Sequence, residues 1–320
     1  MKKQLTTLKC IALAAIALTT VSCEDSDDNG NIIDNNNSIS DIVDDNPTFT
    51  ILDNALERTG LDQTLDQAGG TFTVFAPTDT AFQTFLSANG FATIDDVPVV
   101  LLRNTLRNHV LSTVAMSTDL SDGYVKTNAT NENNDFLDLY IDLDGGVFLN
   151  GDAEVTTADV NADNGVIHIV DEVIALPTVA TLAAANPNFD NLVTALTQEN
   201  LVSTVADPAA TLTVFAPLNS SFQSLIDADP NDSLTDINAI LGLANLSDIL
   251  TYHVVSGAAV RAEDITDGLI VDPLGPGTFT INTTNGVVIT DANSRTVEVI
   301  VTNVTAINGV VHAIDNVLLP

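Results

Sequence analysis

The sequence predicts an α+β protein built from two similar domains in tandem. Its 320 residues suit about two domains, and 45% of them are hydrophobic, which is enough to bury two cores. Motifs from the first half recur in the second half in the same order. Within each copy, helical patterns come first and strand patterns later, which favours an α+β arrangement over strands and helices that alternate around a parallel sheet.

An internal repeat sets the predicted domain boundaries. Thr73–Pro77 reappears 140 residues later as Thr213–Pro217, and Asn164–His168 reappears almost unchanged 144 residues later as Asn308–His312. A unit of this length is a domain, because solenoid repeats have about 20–50 residues. We predict one domain over residues 38–177 and a second over residues 178–320. Since no Gly/Ser-rich linker separates them, the domains are expected to pack together or to pivot on a short hinge.

The first half of each copy is predicted to contain helices and one strand. Residues 71–76 are rich in β-branched and aromatic residues, which predicts a strand that ends at Pro77. Asp79 and its counterpart Asn219 are predicted to cap the helix that follows. Residues at helical spacing predict two further helices in each copy. In the first copy, one helix carries Phe49, Leu52 and Leu56, and the other carries Leu102, Leu106 and His109. In the second copy, one carries Phe189, Leu192, Val193 and Leu196, and the other carries Leu246, Leu250 and His253.

The second half of each copy is predicted to be rich in strands and to form a wedge or sandwich-like layer. Leu137, Leu139 and Ile141 alternate with polar residues, and residues 144–146 favour a hairpin turn. In the second copy, strands are predicted over residues 278–281 and 287–290.

The N-terminal residues resemble an export signal with a lipid attachment site. Three lysines precede an apolar run over residues 11–18, and small residues lead up to Cys23, which predicts a signal peptide over residues 1–22. Ser22–Cys23 resembles the lipobox of bacterial lipoproteins, which implies that Cys23 is acylated. The alternative is cleavage nearby that leaves a free thiol. Residues 23–37 are acidic and polar, so we predict a disordered tether. The resemblance implies an exported lipoprotein at the outer membrane or cell surface.

The repeated motifs resemble the fasciclin domain, which occurs in extracellular adhesion proteins and bacterial surface proteins. TFTVFAPTDTAF at 71–82 pairs with TLTVFAPLNSSF at 211–222, and NGVIHIVDEVIALP at 164–177 pairs with NGVVHAIDNVLLP at 308–320. The Tyr-His motif of the family is intact at Tyr252 and His253, whereas the first copy has Asn108 before His109. The resemblance covers residues 38–320 and implies two tandem fasciclin-like domains.

Tyr252 and His253 are the candidate binding residues that this resemblance implies. An accessible tyrosine would offer a rigid, amphipathic contact to a partner. The alternative is that Tyr252 is a core or helix-end aromatic. His253 follows Leu246 and Leu250 on an apolar helical face, so a core histidine with a hydrogen-bonded partner is expected there.

The sequence gives no reason to expect catalysis, a metal or another cofactor. Asp159–Asp163 alternates oxygen-bearing side chains as a calcium loop does, but Gly165 comes one residue late and Val170 stands where the loop needs its bidentate glutamate. We therefore predict no metal site. No sequence motif of a nucleophilic, zinc-dependent or phosphate-binding enzyme is present.

Charge narrows the classes of partner. Lys and Arg number 9 and Asp and Glu 43, which gives a formal net charge of −34. Such a surface repels phosphate backbones and anionic headgroups, so we expect no nucleic-acid partner and membrane contact through the lipid anchor only. We predict a non-enzymatic surface protein that binds an extracellular protein or polysaccharide through exposed loops. The alternatives are a glycan-active accessory protein or hydrolase, and a purely structural spacer.

Overall fold

The structure is a computed structural model that describes residues 37–228, 233–284 and 286–320. The predicted signal peptide, the lipidation site at Cys23 and the tether up to residue 36 lie outside the described residues. Within the described ranges, no helix combines the length and the apolar character that a membrane crossing requires.

The two copies contain the same succession of elements except for one helix of the second copy, Ile237–Leu241, whose counterpart in the first copy is the short 3-10 helix Ile94–Asp96. In the first copy these are α1 (Ile39–Asp44), α2 (Thr50–Thr59), α3 (Asp62–Leu65), β1 (Phe72–Pro77), α4 (Asp79–Ala88), α5 (Val99–Arg107), β2 (Val110–Leu111), β3 (Gly123–Thr130), β4 (Phe136–Asp142), β5 (Phe148–Leu149), β6 (Ala153–Ala162) and β7 (Gly165–Val170). In the second copy they are α6 (Val179–Ala184), α7 (Asp190–Gln198), α8 (Val202–Val205), β8 (Leu212–Pro217), α9 (Asn219–Asp227), α10 (Ile237–Leu241), α11 (Leu246–Tyr252), β9 (Val254–Ser256), β10 (Leu269–Val271), β11 (Phe279–Asn282), β12 (Val288–Thr290), β13 (Thr296–Ala306) and β14 (Gly309–Ile314).

Each copy folds around a sheet of the same strand order, β2-β1-β7-β6-β5-β4-β3 in the first and β9-β8-β14-β13-β12-β11-β10 in the second. The first strand pairs in parallel with the last, with Phe72 opposite Gly165 and Leu212 opposite Gly309. The other strand pairs are antiparallel. The predicted α+β fold is confirmed. The parallel pair, second and third from one edge of each sheet, is the feature that the sequence patterns did not indicate.

The first strand of each copy divides the core into a helix side and a strand side. Because side chains alternate along a strand, Val74 and Ala76 of β1 pack among the helices, whereas Phe75 packs into the cluster beneath the strands. In the second copy, Ala216 and Phe215 of β8 divide in the same way. Helix side and strand side thus share one doubly buried strand.

The predicted helix caps at Asp79 and Asn219 are wrong by one residue. The N-cap positions are Thr78, whose hydroxyl accepts the Ala81 N–H, and Leu218, whose side chain makes no capping hydrogen bond. Asp79 and Asn219 are the first residues of α4 and α9. The Asp79 carboxylate instead accepts the Ile51 N–H at 2.8 Å, in the first turn of α2, where no side chain of the preceding residue caps the helix. Asn219 likewise accepts the Asn191 N–H at 2.9 Å in α7. Asp79 and Asn219 thus cap a neighbouring helix, which explains why both copies have a polar side chain at this position.

A buried Asn-Gly pair at the start of the last strand ties each copy together. The Asn164 side chain accepts the Ile39 N–H at 2.9 Å and donates to Leu65 O, so it joins α1 and α3 to the sheet. A Cβ atom at Gly165 would collide with Phe72 O on the parallel strand. Asn308 and Gly309 make the equivalent contacts in the second copy. The repeated Asn-Gly motif is therefore a packing requirement.

The two copies pack against each other through polar contacts in one compact unit. Asp138 of β4 lies at the centre of this interface, where its carboxylate accepts the Lys126 Nζ at 2.5 Å and the Thr305 N–H of the second copy at 2.6 Å. Lys126 also donates to Thr305 Oγ1 at 3.0 Å. Burial raises the pKa of Asp138, although Lys126 and the Thr305 N–H act in the opposite direction. Of the two predicted alternatives, packing rather than a hinge is therefore observed.

Further contacts fix the orientation of the two copies. The Tyr124 hydroxyl donates to Leu182 O of α6 at 2.8 Å. Arg261 forms an ion pair of 3.3 Å with Asp135 across the interface. These contacts come from β3, from the turn between β3 and β4, and from the chain before β10. The interface thus involves the strand-rich half of the first copy.

We expect Asp138→Ala to lower the free energy of unfolding by about 2–3 kcal/mol, because it leaves the buried Thr305 N–H without its acceptor and the Lys126 ammonium without its carboxylate partner. Urea denaturation followed by circular dichroism measures the change. Asp152→Ala is the matched control, since this exposed carboxylate has no hydrogen bond within the described residues, and we expect a change within about 0.5 kcal/mol. Equal effects of the two substitutions would contradict the role given to Asp138.

Candidate functional site

Tyr252 is the last residue of α11 and has no exposed surface. Its hydroxyl donates to Thr278 O at 2.7 Å and accepts the Ala292 N–H at 3.2 Å. Its ring lies edge-to-face against Phe279, with 5.5 Å between centroids. The side chain thus holds the segments that precede β11 and follow β12. A binding role for Tyr252 stays a prediction, and its burial means that any such role acts through the position of these segments.

His253 follows directly and is a core histidine. Its Nδ1 lies 2.7 Å from Ile249 O and its Nε2 accepts the Leu318 N–H at 2.9 Å. Since a carbonyl can only accept and an N–H can only donate, the ring is neutral with its proton on Nδ1. Burial lowers the pKa of His253 to about 4. Any part that it plays in recognition therefore stays a prediction as well.

The equivalent pair in the first copy is Asn108 and His109. His109 repeats the histidine geometry, with Nδ1 at 2.8 Å from Thr105 O and Nε2 accepting the Ile174 N–H at 2.9 Å, and burial lowers its pKa to about 4. Asn108 is also buried, but it donates to Ala175 O at 3.0 Å and accepts the Thr127 hydroxyl at 3.1 Å. The tyrosine and the asparagine thus anchor different segments.

The second pair of histidines supports a bulge in the longest strand of each copy. His168 Nε2 donates to Ala115 O at 2.9 Å, and its Nδ1 accepts the N–H of Asp159, which has φ of 63°. His312 and Asn303 (φ of 62°) repeat this arrangement, with Val260 O as the acceptor. Each histidine therefore stabilises a left-handed residue, which is costly in a non-glycine position. The sequence pattern identified these histidines as core residues but did not indicate the bulge.

The calcium-loop pattern at Asp159–Asp163 is occupied by protein hydrogen bonds. Asp159 accepts the N–H of Ser117 at 2.7 Å and its hydroxyl at 2.6 Å, and these bonds lower the pKa of Asp159. Asp163 accepts the Asn37 N–H at 3.1 Å. In the part of the chain that the structure describes, no three metal-ligating side chains come together.

A groove of about 500 Å³ runs between the two copies, and we call it the interdomain groove. One wall consists of α5 and the β3–β4 turn, and the other consists of the segment before β8 and the β13–β14 turn. The residues that define the groove are Val100, Arg103, Asn104, Arg107, Thr130, Asn131, Glu132, Asn133, Pro208, Ala209, Ala210, Thr211, Ala259, Ile307, Asn308 and Gly309. The sequence patterns did not indicate this groove, because its two walls come from different copies. The only signal available was that Arg103 and Arg107 lie one helical turn apart in a chain with few basic residues.

The repeat and its motifs agree with comparisons to known proteins. Residues 47–177 and 187–320 each match the family model of the fasciclin domain. Pig transforming growth factor-beta-induced protein ig-h3 is 28% identical over 256 residues, which cover 78% of this chain and 35% of ig-h3. Human periostin is 28% identical over 260 residues, or 78% of this chain and 28% of periostin. The chain thus spans about a third of these animal relatives.

A bacterial relative and a solved structure are also similar. The uncharacterised protein sll1735 of Synechocystis is 34% identical over 144 residues, which cover 45% of this chain and 98% of that protein. A solved FAS1 domain pair from the insect cell adhesion molecule fasciclin I covers 84% of this chain and 92% of its own, with 20% identity and a TM-score of 0.47.

The buried histidines predict a loss of stability in mild acid. The pKa of His109 and of His253 is about 4 in the folded protein and 6.5 in a solvated side chain, so the unfolded chain takes up protons first as the pH falls. Stability present above pH 6.5 should decrease toward pH 4, by about 3 kcal/mol for each histidine. Urea denaturation across this range measures the decrease.

Imidazole nitrogen NMR of the intact protein at pH 5.5 provides the control for this prediction. His109 and His253 should be neutral and protonated on Nδ1, whereas His168 and His312 donate through Nε2. A charged His109 or His253 at pH 5.5 would contradict the lowered pKa of these histidines. The loss of stability in acid would then come from carboxylates.

We expect Tyr252→Phe to destabilise the protein by about 1–2 kcal/mol, because Thr278 O and the Ala292 N–H lose their partner. Tyr140→Phe is the matched control, since the Tyr140 hydroxyl has no hydrogen bond within the described residues. Thermal denaturation compares the two variants. If Tyr252→Phe is as stable as the control, the hydroxyl does not anchor these segments.

Proposed function

Because the chain belongs to the fasciclin family and carries two fasciclin domains, we propose that it is a non-enzymatic cell-surface protein that binds an extracellular protein or polysaccharide. Fasciclin domains occur in cell adhesion proteins. Recognition would use exposed loops and the surface formed between the two domains.

The packing of the two domains is the observation that carries this proposal. Asp138, Lys126 and Thr305 join β4 and β13 across the interface, and Arg261 pairs with Asp135 beside them. Two domains held in one orientation present a single continuous surface, so a ligand meets a preorganised site and binding costs less ordering. A spacer would need length alone, whereas here the strand-rich half of one domain is used to orient the other.

Anchoring through Cys23 is the second part of the proposal. The apolar run before Cys23 and the acidic residues after it support export and acylation, followed by residence at the outer membrane or cell surface. The acidic residues 24–36 would separate the domain pair from the membrane. Two or more acyl chains would give stable attachment, since one chain holds a protein only weakly.

Tyr252 and His253 contribute to this proposal indirectly. Both are buried, but Tyr252 positions the segments at Thr278 and Ala292, and His253 positions the chain at Leu318. A contribution to binding would come from the exposed parts of these segments.

Adhesion of cells that express the full-length chain tests the proposal. Such cells are expected to adhere to surfaces coated with an extracellular matrix protein or with a polysaccharide, and cells without the chain are not. Cys23→Ala should release the protein into the medium and abolish adhesion of the cells, while the released protein still binds the coated surface. Cys23→Ala protein that remains in the membrane fraction would contradict the anchor.

The same experiment separates binding from catalysis. A bound polysaccharide should keep its number of reducing ends during prolonged incubation. Growth in reducing ends would support the alternative of a hydrolase, and an absence of adhesion to every surface would contradict the binding function.

A further inference from the structure

The basic side chains of this acidic protein are distributed unevenly. Six lie in the described residues, and four of them form ion pairs of 2.5–3.5 Å with carboxylates: Arg58, Lys126, Arg261 and Arg295. The other two, Arg103 and Arg107, have no carboxylate partner among the described residues, and both line the interdomain groove. The groove therefore concentrates the unpaired positive charge of the described part of the chain.

Arg103 and Arg107 lie four residues apart on α5 and thus on the same helical face. Like charges at this spacing repel each other by a few tenths of a kcal/mol, so the pair does not stabilise the helix. Arg103 uses one of its five N–H groups, Nε, to donate to Thr59 O at 3.0 Å. Arg107 is exposed and has no hydrogen bond to a described residue. Favourable interaction with the helix C-terminus would account for Arg107, but this effect fades within the last turn and does not account for Arg103.

The wall that carries these arginines is held rigidly. Asn104, between them on α5, donates to Thr130 O at 2.8 Å and accepts the Thr130 N–H at 3.0 Å, which fixes the β3–β4 turn to the helix. Asn131 closes that turn by accepting the N–H groups of Asn133 and Asp135 at 2.9 Å. The Ile307 N–H donates to Pro177 O at 2.8 Å and holds the opposite wall. The groove is thus formed before a ligand arrives, which reduces the entropy lost on binding.

The lining of the groove indicates the kind of anion. Amide and hydroxyl side chains such as Asn133 and Thr211 line it beside the arginines, and Val100 with the Pro208–Ala210 segment adds aliphatic surface. None of its lining residues is aromatic, so it lacks the large anchor that peptide partners often use. Guanidinium groups bind carboxylates through two parallel hydrogen bonds, and amides and hydroxyls suit a ligand that is rich in hydroxyl groups. Carboxylate and hydroxyl groups occur together along a polymer of uronic acids.

We propose that the interdomain groove binds the carboxylate groups of an acidic polysaccharide, a polymer of uronic acids, through Arg103 and Arg107. This assignment rests on the proposed binding function and names its ligand class. Successive sugar carboxylates would each bind one arginine, and Glu132 at the rim would repel them. The surrounding negative charge disfavours polyanions elsewhere on the protein, so the groove also sets where the polymer binds.

Binding of full-length protein to immobilised polygalacturonate tests the proposal, with the methyl-esterified polymer as the neutral control and polyglutamate as the acidic peptide control. EDTA is present throughout, because divalent cations would otherwise bridge the polymer to the carboxylates of the protein. We expect saturable binding to polygalacturonate that is weaker with polyglutamate and lost with the ester.

Three variants locate the site. Arg107→Gln should weaken binding about tenfold, since it removes charged hydrogen bonds from an exposed residue without disturbing the fold. Arg103→Gln combined with Arg107→Gln should abolish binding, and circular dichroism checks that the double variant is folded. Glu132→Gln removes one charge of the opposite sign from the same groove and should strengthen binding about twofold.

Each outcome decides the proposal. Unchanged binding by Arg107→Gln and by the folded double variant would overturn the groove as the site, and equal binding of ester and acid would overturn the carboxylate as the recognised group. Tighter binding of polyglutamate would overturn the ligand class. If the folded double variant binds polygalacturonate unchanged while cells that carry the chain still adhere to a matrix protein, the proposed function stands and only the groove assignment fails. A chain that binds neither polymers nor matrix proteins contradicts both.

Discussion

The parallel pairing of the first and last strands is the constraint on which each domain depends. It places the closing strand third from one edge of the sheet, between β1 and β6, and it requires a glycine where the two backbones come closest, at Gly165 beside Phe72. The asparagine before that glycine uses its amide to fix the opening helix and α3 to the same point. Both requirements recur at Asn308 and Gly309. The histidines that follow the helices add the next tie, since His109 and His253 join a helix end to the chain beyond the closing strand.

Polar contacts at the interface join the two domains, as the asparagine and histidine contacts join the parts of each domain. Burial raises the pKa of Asp138, so the carboxylate would be unfavourable at this position without Lys126 and the Thr305 N–H. The carboxylate, the ammonium and the N–H meet in only one orientation of the two domains. That orientation places α5 opposite the segment before β8, and the groove with Arg103 and Arg107 exists only because of it. The ion pair at the interface thus fixes the orientation that brings the two unpaired arginines into the groove.

The sequence predicted what depends on local patterns. Period-2 alternation identified β4, helical spacing identified α2 and α7, and the repeat indicated two domains of one fold. Contacts between distant residues were not accessible in this way. Asp79 was predicted to cap its own helix because it lies at the start of that helix in the sequence. Its partner, the Ile51 N–H, belongs to another helix, which the local pattern does not reveal. Burial of Tyr252 depends on contacts with Thr278 and Ala292, which the spacing of residues along the sequence does not predict. The groove needs two copies in a known orientation, which motif analysis of either copy does not provide.

The position of the closing strand also has a consequence for the order in which the chain can fold. A ribosome or a translocation channel delivers residues from the N-terminus onward, so β1 must wait for β7 before its parallel neighbour exists. Until then the doubly buried strand lies open along one edge, and such an edge pairs readily with other chains. Once β7 arrives, the first domain can close, but Asp138 and Tyr124 remain without their partners until the second domain is delivered. Chaperone protection during delivery would therefore matter most in these two intervals.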